Sequence, residues 1–106
     1  MTLRLFNTLS GQMDELVPSD GQALRMYACG PTVYDYGHIG NFRTFLAVDV
    51  LRRALQLTGT KVRHVMNITD VDDKIIRNAA AAGVPIGEYT PLYEKAFLDD
   101  LDSLRI

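Results

Sequence analysis

The order of elements between Ala23 and Ile68 constrains the fold more than any other feature of the chain. "ALRMYAC" (residues 23–29) is an apolar, strand-like run that stops at Gly30-Pro31. From Asn41 to Leu57 the apolar positions follow a helical period. Asp49, Arg52, Arg53 and Gln56 fall at i, i+3, i+4 and i+7 of that stretch and form one polar stripe. Phe42, Phe45, Leu46, Val48, Val50, Leu51, Ala54 and Leu55 fill the rest of the circumference, so the helix is predicted to be covered on most sides, with Gly59 as its stop. "KVRHVMNI" (residues 61–68) then reads as a second strand. Strand, loop, helix, strand is a βαβ unit, with parallel neighbouring strands and a right-handed crossover. The expected fold class is α/β, a Rossmann-like parallel sheet.

This topology gathers chemistry at one place. Cys29 and residues 67–70 follow the two strands at their carboxyl ends, the edge where open α/β sheets bind ligands. His38-Ile39-Gly40 enters the crossover helix at that same edge. Three segments distant in sequence are therefore expected to converge on one cleft.

Around this unit, "LRLFN" (residues 3–7) reads as a short strand, followed by a polar turn region from Ser10 to Gly21. "TDVDDKIIRNAAAAG" reads as a short helix capped by Thr69 or Asp70, with Asp70–Lys74 and Asp73–Arg77 as i,i+4 pairs. A last helix is expected to take Thr90 as N-cap and Pro91 at its first position, and to bury Tyr93, Phe97, Leu101 and Leu104.

Composition narrows the function classes. A chain of 106 residues holds one core, and 47% hydrophobic with 23% charged residues is an ordinary globular balance. A net charge of −2 gives no global attraction to nucleic acid, so an RNA contact is either local or made by another segment. A single cysteine excludes an internal disulfide and suits a reducing compartment. The N-terminus lacks the apolar core and cleavage site of a signal peptide, and no apolar run approaches the ~20 residues that span a bilayer. A cytoplasmic protein without membrane contact is expected.

The residues of the cleft admit more than one reading. A helix N-terminus offers N–H groups and a positive dipole end to phosphate oxygens, and Gly40 allows close approach. His38 can donate to a phosphoryl oxygen as charge builds. Equally, His38 is a surface loop residue and Asn41 an N-cap. Cys29 taken alone is a small hydrophobe as readily as a metal ligand. Thr32 and Thr69 are pocket residues, or a turn hydroxyl and a helix cap. Asp70, Asp72 and Asp73 read as acids complementing a helix dipole rather than as a Mg²⁺ site. Tyr27 is expected to pack, while Tyr34 and Tyr36 either stack on a base or pack. His64, inside a strand, reads as satisfied or solvated.

"MYACGPTVYDYGHIGNFRTFLAVDVLRRAL" together with "VMNITDVDDKIIRNA" closely resembles the N-terminal part of the cysteinyl-tRNA synthetase family of class I aminoacyl-tRNA synthetases, over essentially the whole chain. His38 to Asn41 matches the class signature His-Ile-Gly-His, with Asn41 in place of the second histidine. The resemblance implies ATP- and Mg²⁺-dependent activation of L-cysteine to cysteinyl-adenylate and transfer to its tRNA, in a monomeric full-length enzyme. It implies that Cys29 ligates zinc, that Gly30, Thr32 and Thr69 line the cysteine site, and that His38, Gly40 and Asn41 hold ATP, His38 and Asn41 as catalytic residues. Zinc binding the substrate thiolate would separate cysteine from its near-isostere serine, since a hydroxyl cannot reproduce a soft thiolate contact. The family's other zinc ligands, its Lys-Met-Ser-Lys-Ser loop, the second half of the sheet and the anticodon-binding domain have no counterpart in these residues. Residues 1–106 are accordingly expected to be the N-terminal part of a catalytic domain, inactive alone. Two other functions fit parts of the pattern: a related ATP-dependent ligase joining cysteine to an amino sugar in mycothiol synthesis, and a non-catalytic nucleotide-binding module.

Overall fold

The computed structural model describes residues 1–106 as four strands and three helices: β1 (Arg4–Asn7), β2 (Gln12–Glu15), β3 (Leu24–Ala28), α1 (Ile39–Leu57), β4 (Val62–Met66), α2 (Asp73–Ala82) and α3 (Ile86–Ser103). They fall into two compact units, one of residues 1–28 and 48–65, the other of residues 29–47 and 66–106. The α/β class expected from the sequence holds: β3 and β4 are neighbours in a two-stranded parallel sheet joined through α1.

In the first unit, β1 and β2 pair antiparallel, with Arg4 opposite Glu15 and Asn7 opposite Gln12. The polar turn region expected from Ser10 to Gly21 thus contains a strand. Its composition, Gln-Met-Asp-Glu, has little strand propensity, and the hairpin is set by its turn instead. Asn7 donates through Nδ2 to Asp14, 2.9 Å, and accepts from the Leu9 amide, 2.9 Å, while the Ser10 hydroxyl donates to the same Asp14 carboxylate, 2.6 Å. These bonds from Ser10 and Asn7 hold the Asp14 carboxyl below the usual carboxylate range.

The predicted polar stripe of α1 is present and is partly inside. Asp49 is only 4% exposed and takes hydrogen bonds from Arg52 Nη2 and Arg53 Nε, each 2.7 Å. Burial by itself would push this carboxyl upward, but the two guanidinium groups outweigh it and hold the group below its ordinary value. The Arg52 Nη1 continues the stripe to Gln56, 3.0 Å. Leu55 is fully buried, whereas Val50 and Leu57 are exposed, so the helix is covered on fewer sides than its apolar content predicted. Gly59 ends it at φ 83°, as expected. His64 departs from expectation, because its Nε2 is buried without a hydrogen-bond partner.

The second unit is built on three phenylalanines. Phe42 and Phe45 from the start of α1 meet Phe97 of α3 with ring centroids 5.3–5.9 Å apart. Met66, Ile68, Leu101 and Ile106 pack against them. Edge-to-face and offset pairs of this kind contribute about 0.5–1.5 kcal/mol each beyond the area they bury.

Both later helices begin elsewhere than expected. Asp72, not Thr69 or Asp70, caps α2, its carboxylate accepting from the Ile75 amide at 2.7 Å. Thr69 is withheld because its backbone is paired with Thr32, and Asp70 then lies outside the helix. Neither expected i,i+4 ion pair forms; the Lys74 ammonium sits 4.8 Å above the Tyr34 ring instead. In α3, Pro85 holds the N-cap position and Pro91 lies inside the helix. An interior proline forfeits one backbone bond. Thr90 is buried and its hydroxyl donates to the Ile86 carbonyl, 3.2 Å, within a turn that precedes the expected helix start. Phe97 is buried as expected, but Leu104 is 40% exposed.

No helix is long and apolar enough to cross a membrane.

Candidate functional site

The loop from Cys29 to His38 belongs to the second unit, and its two ends are held by different means. Cys29 directly follows the last residue of β3, and Asn67 directly follows the last residue of β4. The Gly30 amide donates to Asn67 Oδ1 at 2.7 Å. Two residues on, the Val33 amide donates to the Thr69 carbonyl, 3.0 Å, and the Thr69 amide to the Pro31 carbonyl, 2.9 Å, which makes Thr32 and Thr69 a parallel bridge. The approach is so close that a Cβ on Gly30 would lie 1.8 Å from the Asn67 carbonyl oxygen. Only glycine fits there.

Farther along, the Tyr34 carbonyl accepts from the Tyr89 hydroxyl at 2.6 Å and from Asn78 Nδ2 at 3.3 Å, so α2 and α3 both fasten the loop. Tyr36 packs edge-on against Tyr93, centroids 5.0 Å apart, and Tyr93 lies 5.1 Å from Tyr89. The open question about Tyr34 and Tyr36 resolves towards packing, under Lys74 and against Tyr93 respectively. The Tyr89 hydroxyl beside it, then burial, keep the Tyr93 phenol above the ordinary tyrosine value.

At its far end the loop runs into α1. The helix begins at Ile39, so Asn41 is its third residue and not its cap. His38 takes the cap position: its carbonyl accepts from the amides of Asn41, 2.9 Å, and Phe42, 3.3 Å. Its ring Nδ1 accepts from the Gly40 amide at 3.1 Å. In return, Asn41 Oδ1 accepts from the His38 amide at 2.9 Å. This reciprocal pattern is a variant of the capping box, in which a histidine ring takes the second helical amide in place of a hydroxyl taking the third, and asparagine stands where glutamate or glutamine is usual.

Cys29, Gly30, Thr32 and Asn41 line one cavity of about 320 Å³, together with Pro31, Tyr34, Thr44 and Phe45. Thr69 does not line it, but its backbone is bridged to Thr32, which does. His38 does not line that cavity. It borders a second, of about 520 Å³, shared with Ile39, Phe42, Arg43 and Leu46 of α1 and with Asp100, Ser103 and Leu104 near the end of α3. Of the three segments expected to meet in one cleft, Cys29 lines this cavity and Thr69 is paired with Thr32 of its lining, while His38 stands at the start of α1 and borders the second cavity instead.

Cys29 is exposed and is the only thiol. No group of three or more His, Cys, Asp or Glu side chains is placed to hold a metal ion. Zinc centres ordinarily take four ligands, so the residues present do not by themselves make one.

Asn67 lies in the segment 67–70 expected at the carboxyl edge, and its side chain there accepts from the Gly30 amide. Two contributors, Thr44 and Tyr89, have no part in the cleft expected from the sequence. Thr44, one helical turn beyond Asn41, follows from that spacing. Tyr89 carried no local signal, because its partner lies 55 positions away.

Comparison with known proteins places this geometry in context. Residues 15–106 match the model of the tRNA synthetases class I (C) catalytic domain. Over all 106 residues the chain is 63% identical to a cysteine–tRNA ligase of Koribacter versatilis, covering 21% of that protein. It is 57% identical to one of Solibacter usitatus and 48% to one of Pyrococcus horikoshii, again over the whole chain and covering 23% and 22% of them. The chain thus spans about a fifth of the length of the curated relatives it matches. With a family model matched over most of its length, the chain belongs to the family of class I (C) tRNA synthetase catalytic domains.

Proposed function

We propose that these residues form the amino-acid and phosphate side of a cysteine-activating site, in a protein that joins L-cysteine to its tRNA through cysteinyl-adenylate at the expense of ATP with Mg²⁺. The single observation that supports this most is the cavity that unites Cys29, Gly30, Thr32 and Asn41, with Thr69 bridged to Thr32 and His38 at the adjoining helix start. The relatives named above carry the same ligase name along the whole of this chain.

Within that reading each residue has a physical task. Gly30 and Thr32, with Thr69 behind them, shape the space for a small amino acid. The start of α1 supplies the positive dipole end that favours phosphate oxygens. His38 donates to a phosphoryl oxygen as negative charge develops there. Cys29 is the residue of this chain that a zinc ion would take up as a ligand, and no group of three or more His, Cys, Asp or Glu side chains surrounds it.

Isotope exchange between pyrophosphate and ATP tests the reading, in a protein that carries these residues with the remainder of a family catalytic domain. Exchange is expected to require L-cysteine and to ignore L-serine. Cys29→Ala should abolish cysteine binding, and His38→Ala should slow exchange by roughly 10²–10³ with cysteine binding retained. Cysteine-independent exchange, or His38→Ala within a few-fold of the parent, would refute the assignment. For residues 1–106 alone, metal analysis after dialysis is expected to give well under one zinc per chain, since one thiolate falls short of a zinc ligand set.

A further inference from the structure

The start of α1 carries an arrangement that goes beyond a phosphate-binding helix end. In an ordinary first turn the N–H groups have no partner inside the helix. Here the Gly40 amide is spent on His38 Nδ1 at 3.1 Å, and the His38 amide on Asn41 Oδ1 at 2.9 Å. A ring nitrogen that accepts a hydrogen bond carries no proton in the neutral imidazole, so the proton sits on the other nitrogen. Gly40 is part of the same device. A Cβ there would come within 2.9 Å of His38 Cε1 and 3.0 Å of Nδ1, so the ring occupies the space that glycine leaves open.

We infer that Gly40 and Asn41 are positioning residues for His38. Asn41 fixes its backbone, and Gly40 fixes its ring through Nδ1, leaving Nε2–H as the single donor on an exposed side chain. Asn41 therefore serves the reaction through His38, and its carboxamide oxygen is not offered to a ligand. This departs from the reading of Asn41 as a phosphate contact equivalent to a second histidine. The catalytic consequence rests on the function proposed above; the geometry of the ring does not.

The test uses residues 1–106 without any ligand, labelled with ¹⁵N and held at a pH where His38 is neutral. Ring ¹⁵N spectra report which nitrogen bears the proton, and amide exchange reports the His38 and Gly40 N–H groups. In the parent, the Nε2–H form is expected to be essentially exclusive, with both amides protected. Gly40→Ala keeps the amide and favours helix, yet its Cβ displaces the ring. It should keep the helical circular dichroism and give the tautomer mixture of a short peptide spanning residues 36–43. Asn41→Ala should lower protection of the His38 amide by roughly fivefold, the equilibrium factor of a lost helix cap. Asn41→Asp, which keeps an acceptor oxygen, should restore it.

A peptide-like tautomer mixture in the parent would overturn the inference. So would an unchanged ring spectrum in Gly40→Ala, or failure of Asn41→Asp to restore what Asn41→Ala loses. Because neither ATP nor cysteine is present, an absence of cysteine-dependent exchange elsewhere would leave these results standing, and a free ring in the parent would leave the proposed reaction standing.

Discussion

Two glycines mark the ends of the loop between β3 and α1, and each lies against something that a methyl group would strike. At Gly30 the obstacle is the Asn67 backbone carbonyl, 1.8 Å from the position of a Cβ. At Gly40 it is the ring of His38, 2.9 Å away. A backbone oxygen two residues from the Thr32–Thr69 bridge cannot withdraw without moving the paired segment, whereas an exposed imidazole can rotate aside. The same residue type therefore answers to different demands. Gly30 is required by the fold and Gly40 by the orientation of one side chain.

The sharpest way to break this comparison is Gly30→Ala. No rearrangement short of parting residues 30–33 from 67–69 makes room, so a loss of about 3 kcal/mol or more in urea unfolding is expected. A loss below about 1 kcal/mol, within the range of ordinary substitutions, would show that the two segments part easily. An intermediate effect comes from the middle of the loop. Tyr89→Phe removes the 2.6 Å bond to the Tyr34 carbonyl but leaves Asn78 on it, and should cost about 1 kcal/mol. Hydrogen exchange should show the loss around Tyr34 and not at Gly30; an equal loss at both would mean that the two ends are not held separately. The smallest change is expected for Gly40→Ala, a gain or loss within about 0.5 kcal/mol, because better helix propensity offsets the broken bond to His38. Thermal unfolding that fell as far as in Gly30→Ala would erase the distinction.

Much of this was legible in the sequence, and where it was not the reasons are physical. The order of strand, loop, helix and strand was enough to bring Cys29 and residues 67–70 to one edge, because parallel neighbours joined by a crossover must present their carboxyl ends there, whereas Gly30 and Thr32 were expected only through the family resemblance. Helix starts were less legible. Thr69, Asp70 and Asp72 are all competent caps for α2, and the outcome was decided by the pairing of Thr69 with Thr32, a contact between distant segments. Pro91 is a good first residue of a helix by local rules, yet a buried Thr90 and the reach of Tyr89 to Tyr34 bring the preceding turn into α3. At α1 the short polar pair His38 and Asn41 exchanged roles: the histidine caps and the asparagine supports it. Propensity tables contain no signal for that, since the imidazole does through Nδ1 what serine or aspartate does through oxygen.

The bond from Gly30 to Asn67 joins residues 37 positions apart, and the bond from Tyr89 to Tyr34 joins residues 55 apart. Closures of that length cost chain entropy before any contact repays them, so they come late in folding, after local helix and hairpin structure. The cavity beside Cys29 consequently has no partly formed counterpart in a chain that has made only its local structure. Such a chain would keep the His38 capping arrangement, which spans three positions, and lack the cavity lined by Cys29, Gly30, Thr32 and Asn41. Recovery of Gly30 amide protection during refolding would then report the last step of assembly, and recovery of the His38 ring signal one of the first.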